Sequence, residues 1–115
     1  MDEDLLNEVL VFLAVTAQKG QIARKIVTVT YGALARKFGG APVGWGARLN
    51  PLVLRMHEAD LPLLPVLVVS LGKTVPSPEA GIYSDLGLDT PEKLRAEQTK
   101  CINHDWSSVI DRGRL

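Results

Sequence analysis

Thr30-Tyr31-Gly32-Ala33-Leu34-Ala35-Arg36-Lys37-Phe38-Gly39-Gly40, followed by Ala41-Pro42-Val43-Gly44-Trp45-Gly46-Ala47-Arg48, reads as two short helices joined by a tight turn. Thr30 is a good N-cap, because its hydroxyl can accept from an N–H of the first helical turn. The helix behind it, about 31–38, stops at the glycine pair, and Pro42 suits the first turn of the next helix, about 42–49. This is a helix–turn–helix. It lies within a stretch of unusual charge: from Lys19 to His57 there are seven Lys/Arg (Lys19, Arg24, Lys25, Arg36, Lys37, Arg48 and Arg55) and no Asp or Glu. A basic surface on a helix–turn–helix is the footprint of a phosphate-backbone binder.

Outward from this stretch, Leu5, Leu6, Val9, Leu10, Phe12, Leu13 and Ala17 recur at three- and four-residue steps. They predict an amphipathic helix over about 3–18, with Lys19-Gly20 as its stop. The β-branched run Lys25 to Val29 predicts a short strand. After Asn50-Pro51 a further helix is expected over about 51–59. Pro62 and Pro65 lead into Val66-Leu67-Val68-Val69-Ser70-Leu71, which reads as an interior strand. Gly81-Ile82-Tyr83 is the expected strand that pairs back onto it. Asp89-Thr90-Pro91-Glu92 is a helix start, with the helix running to about Asn103 and Trp106 packing back on the core. The order helix, strand, helix, helix, helix, strand, loop, strand, helix is that of an α+β winged helix with an extra C-terminal helix. The 66–83 hairpin would be its wing, with the loop 72–80 carrying Lys73 and Glu79.

The bulk composition bounds the rest. A chain of 115 residues with 46% hydrophobic residues folds as one domain, 1–115, and buries a core without staples. Its single cysteine, Cys101, excludes an internal disulfide framework and a cysteine zinc site. The acidic start Met1-Asp2-Glu3-Asp4 is unlike a signal peptide. The apolar run Leu61–Val69 holds two prolines and is too short to span a bilayer. A cytosolic protein without a membrane partner is expected. Overall the chain is neutral, with 13 basic and 13 acidic residues. Residues 1–18 hold four acids and no base, and residues 58–115 hold nine acids and six bases.

At Thr30-Tyr31-Gly32-Ala33-Leu34-Ala35, and at Ala41-Pro42-Val43-Gly44 leading through Arg48 to Asn50-Pro51, the chain resembles the DNA-binding domain of the O6-alkylguanine-DNA alkyltransferases and their catalytically dead alkyltransferase-like relatives. The likeness covers roughly residues 25–83, with an insertion after Pro51. The family's Pro-Cys-His-Arg-Val strand falls on Pro65-Val66-Leu67-Val68-Val69, preceded by Pro62-Leu63-Leu64. The acceptor cysteine is thus Val66, its activating histidine is Leu67, and the base-extruding arginine falls near Ala41. Alkyl transfer needs a thiolate beside a base. The resemblance therefore implies the fold and DNA binding, with Tyr31 on a phosphate, and not the lesion chemistry.

The candidate DNA-binding residues are Tyr31, Arg36, Lys37, Trp45, Arg48, Arg55 and Lys73. Arg48 sits on the recognition helix. Trp45, between two glycines, either wedges against bases or anchors the core or an interface. His57 with Glu58 and Asp60, and His104 with Asp105, are the His–carboxylate clusters, and neither has metal-ligand spacing. No catalytic residue, metal or cofactor is expected. The expected function is non-catalytic binding of duplex DNA through its backbone, with a dimer doubling the phosphate contacts. The alternative is a protein-interaction module on the same scaffold, with Leu52, Val53, Met56, Trp45 and Trp106 supplying the contact. The two separate on whether the seven bases of 19–57 converge on one face.

Overall fold

The computed structural model describes residues 1–77 and 81–115. The fold is α+β and mostly helical. Its elements are α1 (Glu3–Ala23), β1 (Val29–Thr30), α2 (Tyr31–Phe38), α3 (Pro42–Arg48), α4 (Asn50–Glu58), a 3-10 turn (Leu64–Leu67), β2 (Val68–Val69), α5 (Gly81–Asp85), α6 (Pro91–Ile102) and α7 (Ser107–Arg112).

α1 is the spine. Asp2 caps it, its carboxylate accepting from Leu5 N at 2.8 Å, and Glu3 and Asp4 favour the positive end of the helix dipole. Its inner face (Leu6, Val9, Leu10, Leu13, Ala14 and Ala17) is buried against the 3-10 turn, α6 and α7. The helix does not stop at Lys19-Gly20. It continues to Ala23 and ends at Arg24 in the left-handed conformation, φ 57°. Gly20 serves close packing instead: a Cβ there would lie 2.7 Å from the Lys25 carbonyl and 2.8 Å from Ile102 Cγ2.

The two short helices form as α2 over the expected 31–38 and as α3 over 42–48, one residue short of the expected 42–49, and Thr30 is the cap of the first. Thr30 Oγ1 accepts from Ala33 N at 3.1 Å. The turn needs glycine, since Gly39 and Gly40 have φ 93° and 80°. Leu49 joins α3 directly to α4, and α4 buries Leu52, Val53 and Met56.

The wing hairpin is where the structure departs from the sequence reading. Val66 and Leu67 belong to a 3-10 turn led by Pro65, whose ring fixes φ and removes a ladder donor. Only Val68 and Val69 are extended, and they pair in parallel with Val29 and Thr30. The expected strand at Gly81-Ile82-Tyr83 is the start of α5, with Tyr83 buried in the core. Among the described residues no antiparallel hairpin forms. Glu79, expected on the wing, lies outside the described residues. The interior placement of Val66–Val69 does hold, as all four are buried.

Two polar side chains of α6 hold this irregular segment. Glu97, itself buried, accepts from Leu63 N at 2.9 Å. Gln98 Nε2 donates to the carbonyls of Val66 at 2.8 Å and Thr74 at 3.0 Å. Thr90 caps α6, and Trp106 closes the core behind it, its indole N–H donating to the Cys101 carbonyl at 2.8 Å.

Candidate binding surface

α3 has seven residues, two of them glycine, and is too short to stand alone. Trp45 fixes it. The indole is fully buried, and its N–H donates to the Gly39 carbonyl at 2.9 Å. Phe38 packs on it with ring centroids 6.1 Å apart. Trp45 is therefore the core anchor and has no surface with which to wedge against bases. Arg48 folds back over it, Cζ 4.0 Å from the ring centroid, with Nη1 3.4 Å from the Gly39 carbonyl. This guanidinium is committed to stacking and to the turn.

With Trp45 turned inward, the outer face of α3 comprises Ala41, Pro42, Val43, Gly44, Gly46 and Ala47, all exposed. It carries no charge. Val43 is 93% exposed, and a Cβ at Gly44 or Gly46 would meet nothing within 4 Å. Beside it, after β2, Leu71 is 89% exposed on a turn closed by Lys73 N donating to the Ser70 carbonyl at 3.0 Å. A hollow of about 410 Å³ lies between them, bordered by Tyr31, Arg36, Pro42, Val43, Ser70 and Leu71. Tyr31 is half-buried, and burial raises its hydroxyl above the ordinary 10.0, so it stays a neutral donor.

The bases are spread along the length of the molecule, and α1 serves as the ruler. At about 1.5 Å per residue its 21 residues span about 31 Å. Arg55 pairs with Glu3 at its first turn, Nη1 to Oε1 2.6 Å. Lys37 lies over Phe12 near its middle, Nζ 5.3 Å from the ring centroid. Lys19, Arg24 and Lys25 stand at its far end. Of the sequence-derived site residues, only Tyr31 and Arg36 border the α2–α3 hollow, with Lys73 exposed on the adjoining turn. Comparison with protein-family models, curated proteins and solved structures finds no match.

The apolar contact residues expected for the protein-interaction alternative are also internal: Leu52, Val53, Met56, Trp45 and Trp106 are all buried. Val43 and Leu71 take their place, and sequence reasoning passed over both. The available signal was an apolar residue followed by glycine on a helix whose tryptophan must face inward. Cys101 is buried in the core, and burial, then the Glu97 charge, push its thiol well above the ordinary 9.0. His104 packs against Trp106 with the rings tilted by 55°, and Asp105 accepts from Ser107 N and Oγ at the start of α7, so that pair closes the C-terminal turn. His57 and Asp60 border a separate hollow with Glu97 and Lys100. Among the described residues no group of His, Cys, Asp and Glu is placed to hold a metal, and no helix is long and apolar enough to cross a membrane.

Proposed function

We propose that this chain is a non-catalytic binding module on a helix–turn–helix scaffold, a winged-helix relative, that engages a protein partner through the outer face of α3 and the neighbouring turn. The observation that carries the reading is the uncharged, exposed outer face of α3 (Ala41 to Gly44, Gly46 and Ala47), with Val43 93% and Leu71 89% in solvent on either side of one hollow. Exposed apolar residues scattered singly need no explanation, but two such residues flanking a concavity mark a contact surface. Tyr31 and Arg36 at the edge of the hollow supply the polar rim, and both residue types are favoured at interfaces. The exposed outer face of α3 carries no side-chain donor to read base edges, Arg48 lies over Trp45, and Arg55 is paired with Glu3, which lowers the number of cations left for phosphate.

Binding of duplex DNA is the second reading. It is favoured by Tyr31 and Arg36, which border the hollow at the start of α2 where backbone N–H groups suit a phosphate, and by Lys73, exposed on the neighbouring turn. A footprint of about two cations gives a salt slope near −2 in log K against log salt, shallower than a seven-cation face would give.

A photo-crosslinking residue at Val43 tests the two together. In the native host, a protein adduct at position 43 that is lost with Leu71→Asp, and is absent with the crosslinker at exposed Ser108, is expected. A nucleic-acid adduct, matched by salt-sensitive anisotropy with a generic duplex that Arg36→Ala weakens, would displace the protein reading. No adduct of either kind at position 43 would refute both.

A further inference from the structure

The outer face of α1 is a second, separate surface. Glu8, Val11, Val15, Gln18 and Ile22 follow one another at steps of three and four residues, so they form one seam along the helix opposite its buried face. Val11 and Val15 are half-buried, Glu8 is exposed and Ile22 is 85% exposed. Over the middle of the seam runs a groove of about 650 Å³, floored by Val11, Phe12 and Val15 and walled on one side by Lys37 and Phe38. A helix face of this width in contact with its own fold is covered; this one is open.

The charge along α1 says what covers it. On the helix itself the acids are Glu3, Asp4 and Glu8 and the base is Lys19, and Glu3 is already paired with Arg55. Among the described residues neither Glu8 nor Lys19 makes an ion pair. A second copy laid parallel would set acid against acid and base against base. Laid antiparallel, Glu8 of each copy meets Lys19 of the other, and the helix dipoles also oppose favourably. A two-fold interface requires a patch that is complementary to itself, and this seam is one. We propose that two copies of this chain form a two-fold dimer through antiparallel α1 helices. In the register that sets Val11 against Val15 of the second copy, Glu8 faces Gln18 and lies one residue from Lys19 of that copy, twice over, and Ile22 faces Asp4 at each end.

This face lies on the Lys37 side of α2, whereas the α3 hollow lies on the Arg36 side, so dimerisation and partner binding are separable. Sedimentation velocity across a concentration series is the test. The expected mass is twice the 12.5 kDa of the chain, falling toward one copy as salt rises. Val15→Asp should give a monomer with unchanged circular dichroism. Glu8→Lys and Lys19→Glu are both surface changes that leave the core intact. Each alone should weaken the dimer about tenfold, since it acts twice, and the two combined should restore it. Val43→Asp should leave the mass unchanged. A single-copy mass at the highest attainable concentration would overturn the proposal. So would a dimer indifferent to Val15→Asp, or a charge reversal that its counterpart does not rescue.

Discussion

Gln98→Ala is expected to be the most destabilising single change at a polar residue in this chain. Gln98 is 1% exposed, and its Nε2 donates to two carbonyls that no regular ladder serves, Val66 at 2.8 Å and Thr74 at 3.0 Å. The Val66 bond is buried and the Thr74 bond only partly so. Truncation leaves both acceptors without a donor. A buried group so orphaned costs about 1–3 kcal/mol, and the Thr74 carbonyl recovers part of this from water. The sum is about 3 kcal/mol, a large fraction of the 5–15 kcal/mol typical of a domain. For a chain of this size that lowers Tm by roughly 10–15 °C, read by thermal circular dichroism or calorimetry. Gln98→Glu separates hydrogen bonding from packing, because it keeps the shape and replaces the donor with an acceptor. Facing two carbonyls in the interior, that carboxyl has a folded-state pKa raised above its unfolded value. Its contribution is fully present below the unfolded pKa, about 4.3, and is lost as pH rises through the folded one, so this variant should gain stability on acidification. A Gln98→Ala Tm within 3 °C of wild type would refute the reasoning, since it would mean that the 63–74 segment is held by its apolar contacts alone.

Trp45→Phe keeps a ring in the core but removes the N–H that reaches Gly39, and should cost about 1–2 kcal/mol by urea unfolding, whereas Trp45→Ala should cost about 3–5 kcal/mol and leave α3 unfolded. Cys101 should resist a thiol reagent in the native state and react at the rate of unfolding, because its thiol is buried and its pKa is raised; stoichiometric labelling within mixing time would contradict this. The Arg55 guanidinium holds the Glu3 carboxyl below the ordinary 4.5. A depressed folded pKa gives stability that is present above the unfolded value and lost as pH falls through the folded one. The wild-type and Arg55→Gln melting curves should therefore differ slightly at pH 7 and converge as pH falls through the lowered Glu3 pKa, with added salt removing the difference at neutral pH.

How much of this was legible in the sequence follows from what each element depends on. α2 and α6 are announced locally, by a capping threonine and by glycine or proline at the right offset, and local signals suffice for them. The inner face of α1 is announced by periodicity. β1 and β2 are not, because two residues in parallel register, 39 positions apart, leave no alternation to read. The apolar run at Val66 looked like a strand because burial and extension give the same composition, and Pro65 diverted half of it into a 3-10 turn. Gly20 reads as a stop when its partner surfaces, Lys25 and Ile102, are unknown. Glu97 and Gln98 did leave a trace: they share the apolar side of α6 with Leu94 and Cys101, three or four residues from each, where a polar residue must have a partner.

The site was harder to read because charge in a sequence has position but no direction. The acid-free window is real, yet folding spends its cations unequally. Arg55 reaches back across 52 residues to Glu3, Arg48 lies flat on Trp45, and Lys37 turns toward Phe12. Adjacent Arg36 and Lys37 point about 100° apart on α2 and so serve different surfaces. What survives on α1 itself is smaller: the helix carries Glu3, Asp4 and Glu8 in its first half and Lys19 in its second, with Glu3 already taken by Arg55. A helix keeps sequence order as spatial order, so segregation there survives folding. A segregation that is scattered over the helix–turn–helix and preserved along α1 belongs, on physical grounds, to whatever lies against α1.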